Sequence, residues 1–252
     1  MWIQLYENLP EVAARSVWQD AYAKLFRAWF QDRRWVTYFQ GLLTTLEVTV
    51  MALLIGVVLG VLVAMVRTAH DQRRPGTRNI PLSIINAICK VYVTVIRGTP
   101  MMVQLLIWGF VIFNSSRSFN LVGALGLGIN SGAYVAEIIR GGLMSLDPGQ
   151  MEAGRSLGLN YIQTMRFIVI PQAFKAILPS LGNEFIVLLK DTSLISVIAG
   201  KEIVYFAKAI ASRTYEYMFP FFITAIMYLI LVLIFSWLQG ILERRLRQSD
   251  RR

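Results

Sequence analysis

Cysteine and histidine are nearly absent: Cys89 and His70 are the only ones in 252 residues. A single cysteine excludes a disulfide within the chain, and one histidine cannot build a Cys/His metal cluster or a Cys-His nucleophile pair. Cys89 reads as a small apolar residue for the interior, and His70, in a basic loop, as a solvated side chain. Charge is also scarce, at 16% of residues, against ~25% in soluble domains. No phosphate-cradling G-x-x-x-x-G-K-[ST] run occurs, so any ATP that drives this protein is bound by another chain.

Apolar residues are abundant (56%) and clustered. Residues 42–66 hold no charge except Glu47, and residues 219–242 hold none. Each run is long enough to cross ~30 Å of hydrocarbon as a helix. Segments around 91–113, 121–139 and 174–189 are further candidates with polar interruptions. The pattern predicts an all-α polytopic membrane protein of about five spans. A polar arm, residues 1–36, precedes a membrane domain over 37–245, and a basic tail follows over 246–252. Scattered acids and the lack of a clean apolar stretch in residues 1–30 argue against a cleaved signal peptide.

The net charge of +10 is explained by topology. Arg67, Arg73, Arg74 and Arg78 follow the first span; Arg140, Arg155, Arg166 and Lys175 flank the central loop; Arg244, Arg245, Arg247, Arg251 and Arg252 close the chain. With an odd number of spans these groups share one side, and the positive-inside rule makes it the cytoplasm, with the N-terminus outside. The arm dissents, since Arg15, Lys24, Arg27, Arg33 and Arg34 would then be external. The partner of this basicity is membrane lipid, not nucleic acid.

Within the arm, Ala21, Leu25, Ala28 and Trp29 suit one face of an amphipathic helix, lying at the interface or packed on the outer surface. A helix over 82–96 stops at Arg97-Gly98-Thr99-Pro100, because Pro100 cannot donate a backbone hydrogen bond and Gly98 is flexible. Broken backbone at membrane depth is tolerated only where protein covers it or a watery cavity faces it, and Arg97 beside it is expected to face the interior. Gly123, Gly126, Gly128, Gly132 and Ala133 thin one helix surface for close approach. Glu137 and Arg140 are spaced to pair. The fourth span carries Asn183, Glu184, Lys190, Asp191, Thr192 and Ser193, too polar for a lipid-facing helix. Lys190 and Asp191 are expected to neutralise each other or cap the next turn, which leaves Glu184 free for a substrate amine or for Arg97.

Between the third and fourth spans lies a short capped helix. Asp147 suits the N-cap, Pro148 the first helical position, Gln150 a capping box and Gly158 a left-handed stop. Ala153, Gly154 and Ser156 keep it thin. It reads as an ordinary surface helix or as a knob for another protein's groove.

This loop, about residues 143–171, resembles the EAA loop of ATP-binding-cassette importer permeases. Glu152 and Ala153, then Gly158, then Ile168, Ile170 and Pro171 keep the family spacing, while Gly154 stands for the third small residue and Ile170 for leucine. Arg97-Gly98-Thr99-Pro100 with Gln104-Leu105, the run Tyr134 to Gly142, and Lys190-Asp191-Thr192-Ser193-Leu194 are similar to the polar amino acid permeases of the histidine/glutamine/arginine/glutamate group. The resemblance spans roughly 37–245.

It implies a MetI-like type I importer half with a cytoplasmic coupling helix. ABC ATPase subunits would carry ATP and Mg2+, with no cofactor on this chain. A second permease, identical or a sister chain, would complete the pathway, and an extracytoplasmic solute-binding protein would deliver an amino acid at the bacterial inner membrane. Glu152, Ala153, Gly154, Arg155, Leu157 and Gly158 would form the ATPase contact. Glu184, Thr99, Gln104, Asn183 and Thr192 would face the substrate, with Arg97 or the Gly98 break receiving a carboxylate. Burying Glu184 unpaired is costly, which tilts the expected substrate towards basic amino acids; glutamine or glutamate is the alternative. An intramembrane enzyme using Glu137, Glu184 and Asp191, or a scaffold subunit, explains less of the pattern. The chain is expected to be a transport subunit, not an enzyme.

Overall fold

The computed structural model describes residues 2–72, 79–147 and 149–249, and among these the regular structure is helical throughout. Arg73, Arg74, Arg78, Pro148, Arg251 and Arg252 lie outside the described residues. Short α1 (Trp2–Glu7) and α2 (Val17–Trp29) form the arm. The long α3 (Arg34–Asp71) follows, then α4 (Ile80–Gly98), α5 (Met101–Leu106) with a π-helical continuation (Ile107–Ile112), and α6 (Phe119–Met144). The loop helices α7 (Gly149–Ser156) and α8 (Tyr161–Thr164) lead through a π turn (Met165–Val169) into α9 (Ile170–Asp191). A 3-10 turn (Thr192–Ile198), α10 (Ile203–Thr214) and α11 (Met218–Ser249) complete the chain.

Among the described residues, four helices are long and apolar enough to cross a membrane: α3, α4, α6 and α11. With 22 residues α9 is also long enough, but Lys175, Glu184, Lys190 and Asp191 keep it from qualifying on apolarity. It runs in the bundle packed against α6 and α11, which makes about five spans. At 38 residues, or ~57 Å, α3 projects beyond the hydrocarbon.

The centre of the bundle is the seam between α3 and α6. Gly56 and Gly60 on α3 face Ser131-Gly132 and Val135-Ala136, while Gly128 and Gly132 on α6 face Ile55 and Leu59. Each helix thus offers a G-x-x-x-G row to the other, bringing the backbones close without a side chain between them. A Cβ on Gly60 would lie 2.5 Å from Val135 Cγ1. Near this seam Glu137 pairs with Arg140 at 3.0 Å, as its spacing suggested, and also with Arg67 of α3.

At one end of the bundle, Gly41 of α3 meets Ile203, and Glu202 caps α10 by accepting from the Val204 and Tyr205 N–H groups, both at 2.8 Å. The arm is a packed helix: α2 contacts α10 and α11, and Lys24 reaches Glu216 at 3.7 Å. Its buried stripe is Ala23, Phe26 and Ala28, whereas Leu25 is exposed, one step round from the expected face. Phe26 decides this by stacking on Tyr6 at 4.5 Å. At the opposite end, the Tyr161 hydroxyl donates to Gln72 Oε1 at 2.6 Å, joining the loop helices to the end of α3.

Candidate functional site

The chain breaks at Thr99-Pro100. Thr99 is extended (φ −118°, ψ 146°) and Pro100 starts α5. Proline leaves carbonyls of the preceding turn without their helical donor, and Gln104 replaces it. Its Nε2 donates to Ile96 O at 2.8 Å, Thr99 O at 3.2 Å and Thr99 Oγ1 at 2.8 Å, while Asn130 Nδ2 donates to its Oε1 at 3.1 Å. Gln104 therefore clasps the break and does not face open space. Gly98 belongs to α4 without a left-handed φ, and a Cβ there would meet nothing within 4 Å. The proline, not glycine freedom, makes the break.

Against the break sits a cavity of about 190 Å³ whose polar walls are Thr99, Asn130, Tyr134, Glu184 and Asp191. Met101, Val187 and Leu188 close it with apolar surface. Glu184 is 8% exposed and accepts from Ser131 Oγ at 2.7 Å. Ser131, not Arg97, is its partner. Asp191 lies two helical turns further along α9, on the same face. Lys190 points outward and forms no ion pair with it, nor does Asp191 cap the following turn. Lys190 still acts on Asp191 through space, but no contact pair forms, and Asp191 adds a second carboxyl group to the cavity, where no basic side chain is a wall. The signal was present in sequence: 184 and 191 are seven apart, with Val187 and Leu188 between.

Glu184 and Thr99 come together as expected; Asn183, Thr192 and Arg97 do not join them. Asn183 is exposed outside the cavity. Thr192 is fully buried, donates to Leu189 O at 2.7 Å and lies 3.4 Å from the Tyr228 hydroxyl, so its hydroxyl is spent inside the bundle. Arg97 lays its guanidinium over the Tyr134 ring, 5.1 Å from the centroid, and belongs to a second cavity of about 300 Å³ with Arg67, Lys90 and Glu137.

The loop helix α7 forms the other site. The Gly149 N–H donates to Asp147 Oδ1 at 2.8 Å. The expected capping box is not made, because Gln150 Oε1 instead accepts from Gln172 Nε2 at 3.1 Å and ties α7 to α9. Gly158 supplies the left-handed stop at φ +79°. The Leu159 N–H donates to Gly154 O at 3.0 Å and the Gly158 N–H to Arg155 O at 2.9 Å, a Schellman closure. Glu152, Ala153, Arg155, Ser156 and Leu157 are exposed, with Leu157 at 77%. Gly154 alone turns inward, onto Thr164. Its smallness serves packing within the loop, not the slimness of the outer face. α8 is secured by a capping box between Asn160 and Gln163 that sequence reading missed.

A family model described as binding-protein-dependent transport system inner membrane component matches residues 79–248. A putative glutamine transport system permease protein of Rickettsia felis is 34% identical over 210 residues, covering 82% of this chain and 91% of that protein. The arginine transport system permease protein of Bacillus subtilis is 35% identical over 216 residues, covering 84% and 93%. A crystal structure of an amino acid ABC transporter with histidines superposes with a TM-score of 0.73 at 42% identity, covering 83% of this chain and 94% of that one.

Proposed function

The chain belongs to the family of binding-protein-dependent transport system inner membrane components, and on that premise we propose that it carries basic amino acids through the cavity at the α4 break. It is a multi-pass permease subunit of an ATP-driven importer, with ATP hydrolysis on a separate subunit. The observation that carries the substrate reading is the acidic cavity: Glu184 and Asp191 face it and no basic side chain lines it. Two carboxylates facing one small cavity favour a cationic guest, because an amine or guanidinium repays the desolvation that an unpaired charge would cost.

The exposed face of α7 supports the rest of this reading. Its exposed face, Glu152 to Leu157, seats in a groove of an ATPase subunit that binds ATP and Mg2+, with Glu152 and Arg155 making charge-assisted contacts. Gln150, Gln172 and the continuous path into α9 convey the ATPase's closure to the helix that carries Glu184. A groove that holds α7 differently in two states is what shifts the equilibrium between outward and inward access. A second permease chain completes the pathway, and a solute-binding protein delivers the amino acid to the side of the arm. The N-terminus is then outside and the C-terminus cytoplasmic.

A second reading, glutamine as cargo, is favoured by the likeness to the Rickettsia felis protein and by Thr99 and Asn130, which suit an amide. ATPase stimulation of the reconstituted transporter by its binding protein, across arginine, lysine, histidine, glutamine and glutamate, separates the two. Strongest stimulation by basic amino acids supports the proposal; stimulation by glutamine alone overturns it.

A further inference from the structure

Two cavities of opposite character are linked by Tyr134, which lines one and lies under Arg97 of the other. One face of the site is the acidic cavity, which Tyr134 lines with Glu184 and Asp191. The other is the 300 Å³ cavity between α3, α4 and α6, walled by Arg67, Lys90, Arg97 and Glu137, whose Arg97 lies over the Tyr134 ring. Three cations meet one acid there, and that acid is already committed: Glu137 pairs with both Arg67 and Arg140. Arg67 Nε is buried without a partner. Lys90 is exposed, beside Arg67 at the end of the first apolar run, and forms no ion pair or hydrogen bond among the described residues, so its ammonium is open to water or to a passing counter-charge. Lys90, Thr94 and Arg97 fall at i, i+4 and i+7, on one face of α4, so the basic groups form a row leading from the break towards the cytoplasmic end.

We propose that this basic cavity is a carboxylate station on the transport path, where Lys90 and Arg97 receive the carboxylate of an amino acid whose cationic end has been held at Glu184 and Asp191. The chemistry is that of a charged donor pair and a carboxylate, with Arg97 preset by Tyr134 and Lys90 free to swing. The proposal rests on the reading of the acidic cavity as the cation site, and it adds a reason for the transporter to accept an amino acid and refuse the matching amine.

The test is equilibrium binding of labelled lysine and of cadaverine, its decarboxylated counterpart, to the assembled transporter without binding protein. Lys90→Ala is expected to weaken lysine binding about tenfold with cadaverine unchanged, and Lys90→Arg to restore the wild-type preference. An equal effect on both ligands, or on neither, overturns the station. Glu184→Gln serves as the reference: it weakens both ligands if the acidic cavity holds the cation. If it weakens neither while Lys90→Ala still acts on lysine alone, the cation-site reading fails and the station stands. Unchanged copurification of the ATPase subunit with Lys90→Ala excludes misassembly as the cause.

Discussion

Gly154 lies beneath Thr164 so closely that a Cβ in its place would sit 2.4 Å from Thr164 Cγ2 and 2.7 Å from its Oγ1. Thr164 cannot give way: it is fully buried, β-branched, and its hydroxyl donates to Asn160 O at 3.0 Å. An alanine would gain ~1 kcal/mol of helix propensity, but overpacking against a stiff side chain costs ~1–3 kcal/mol. Gly154→Ala is therefore expected to loosen the loop, and ATPase copurification should fall. Gly154→Ala with Thr164→Ala should recover it, a non-additive cycle expected of residues in contact. Full copurification with Gly154→Ala alone would show that the contact does not constrain the loop.

The glycines differ sharply in what they do. Gly60→Ala pushes a methyl group into Val135 at the α3–α6 seam, and a loss of ~1–3 kcal/mol is expected, read as a lower Tm of the detergent-solubilised protein. Gly98→Ala, with open space around it, should leave Tm within the scatter of wild type. Equal Tm for both variants would deny the close packing of the two G-x-x-x-G rows.

Gln104 clasps the break, so its loss should be felt as stability. Gln104→Leu leaves the Ile96 and Thr99 carbonyls without their side-chain donor, at roughly 1–3 kcal/mol. Tm and uptake of every substrate should fall together. A change confined to the KM of one amino acid would instead make Gln104 a substrate contact.

Much of this was legible in the sequence, for identifiable reasons. The apolar runs and the Pro100 break are local signals whose meaning bilayer thickness and backbone chemistry fix, whereas the spacing from Glu152 to Pro171 took its meaning from resemblance to the EAA loop. What could not be read were choices between partners. Gln104 had the chemistry of a substrate ligand, but the carbonyls orphaned by Pro100 were nearer. Gln150 could have closed a box on its own helix, and Gln172 of α9 took it. Lys190 and Asp191 are adjacent in sequence yet diverge on the helix, which neighbours in a 3.6-residue repeat must do. Gly154 looked like part of a slim outer face until Thr164, ten residues on, was folded against it.

The most direct measurement is uptake of labelled arginine and glutamine by proteoliposomes carrying the complete transporter, with wild type, Glu184→Gln and Asp191→Asn compared. Each substitution keeps size and hydrogen bonding while removing a negative charge from the cavity. Arginine uptake is expected to fall about tenfold or more in each, with the ATPase subunit still bound and any glutamine uptake much less affected. Arginine uptake that survives both changes intact would contradict a cation site at Glu184 and Asp191, and with it the claim that this cavity selects the cargo.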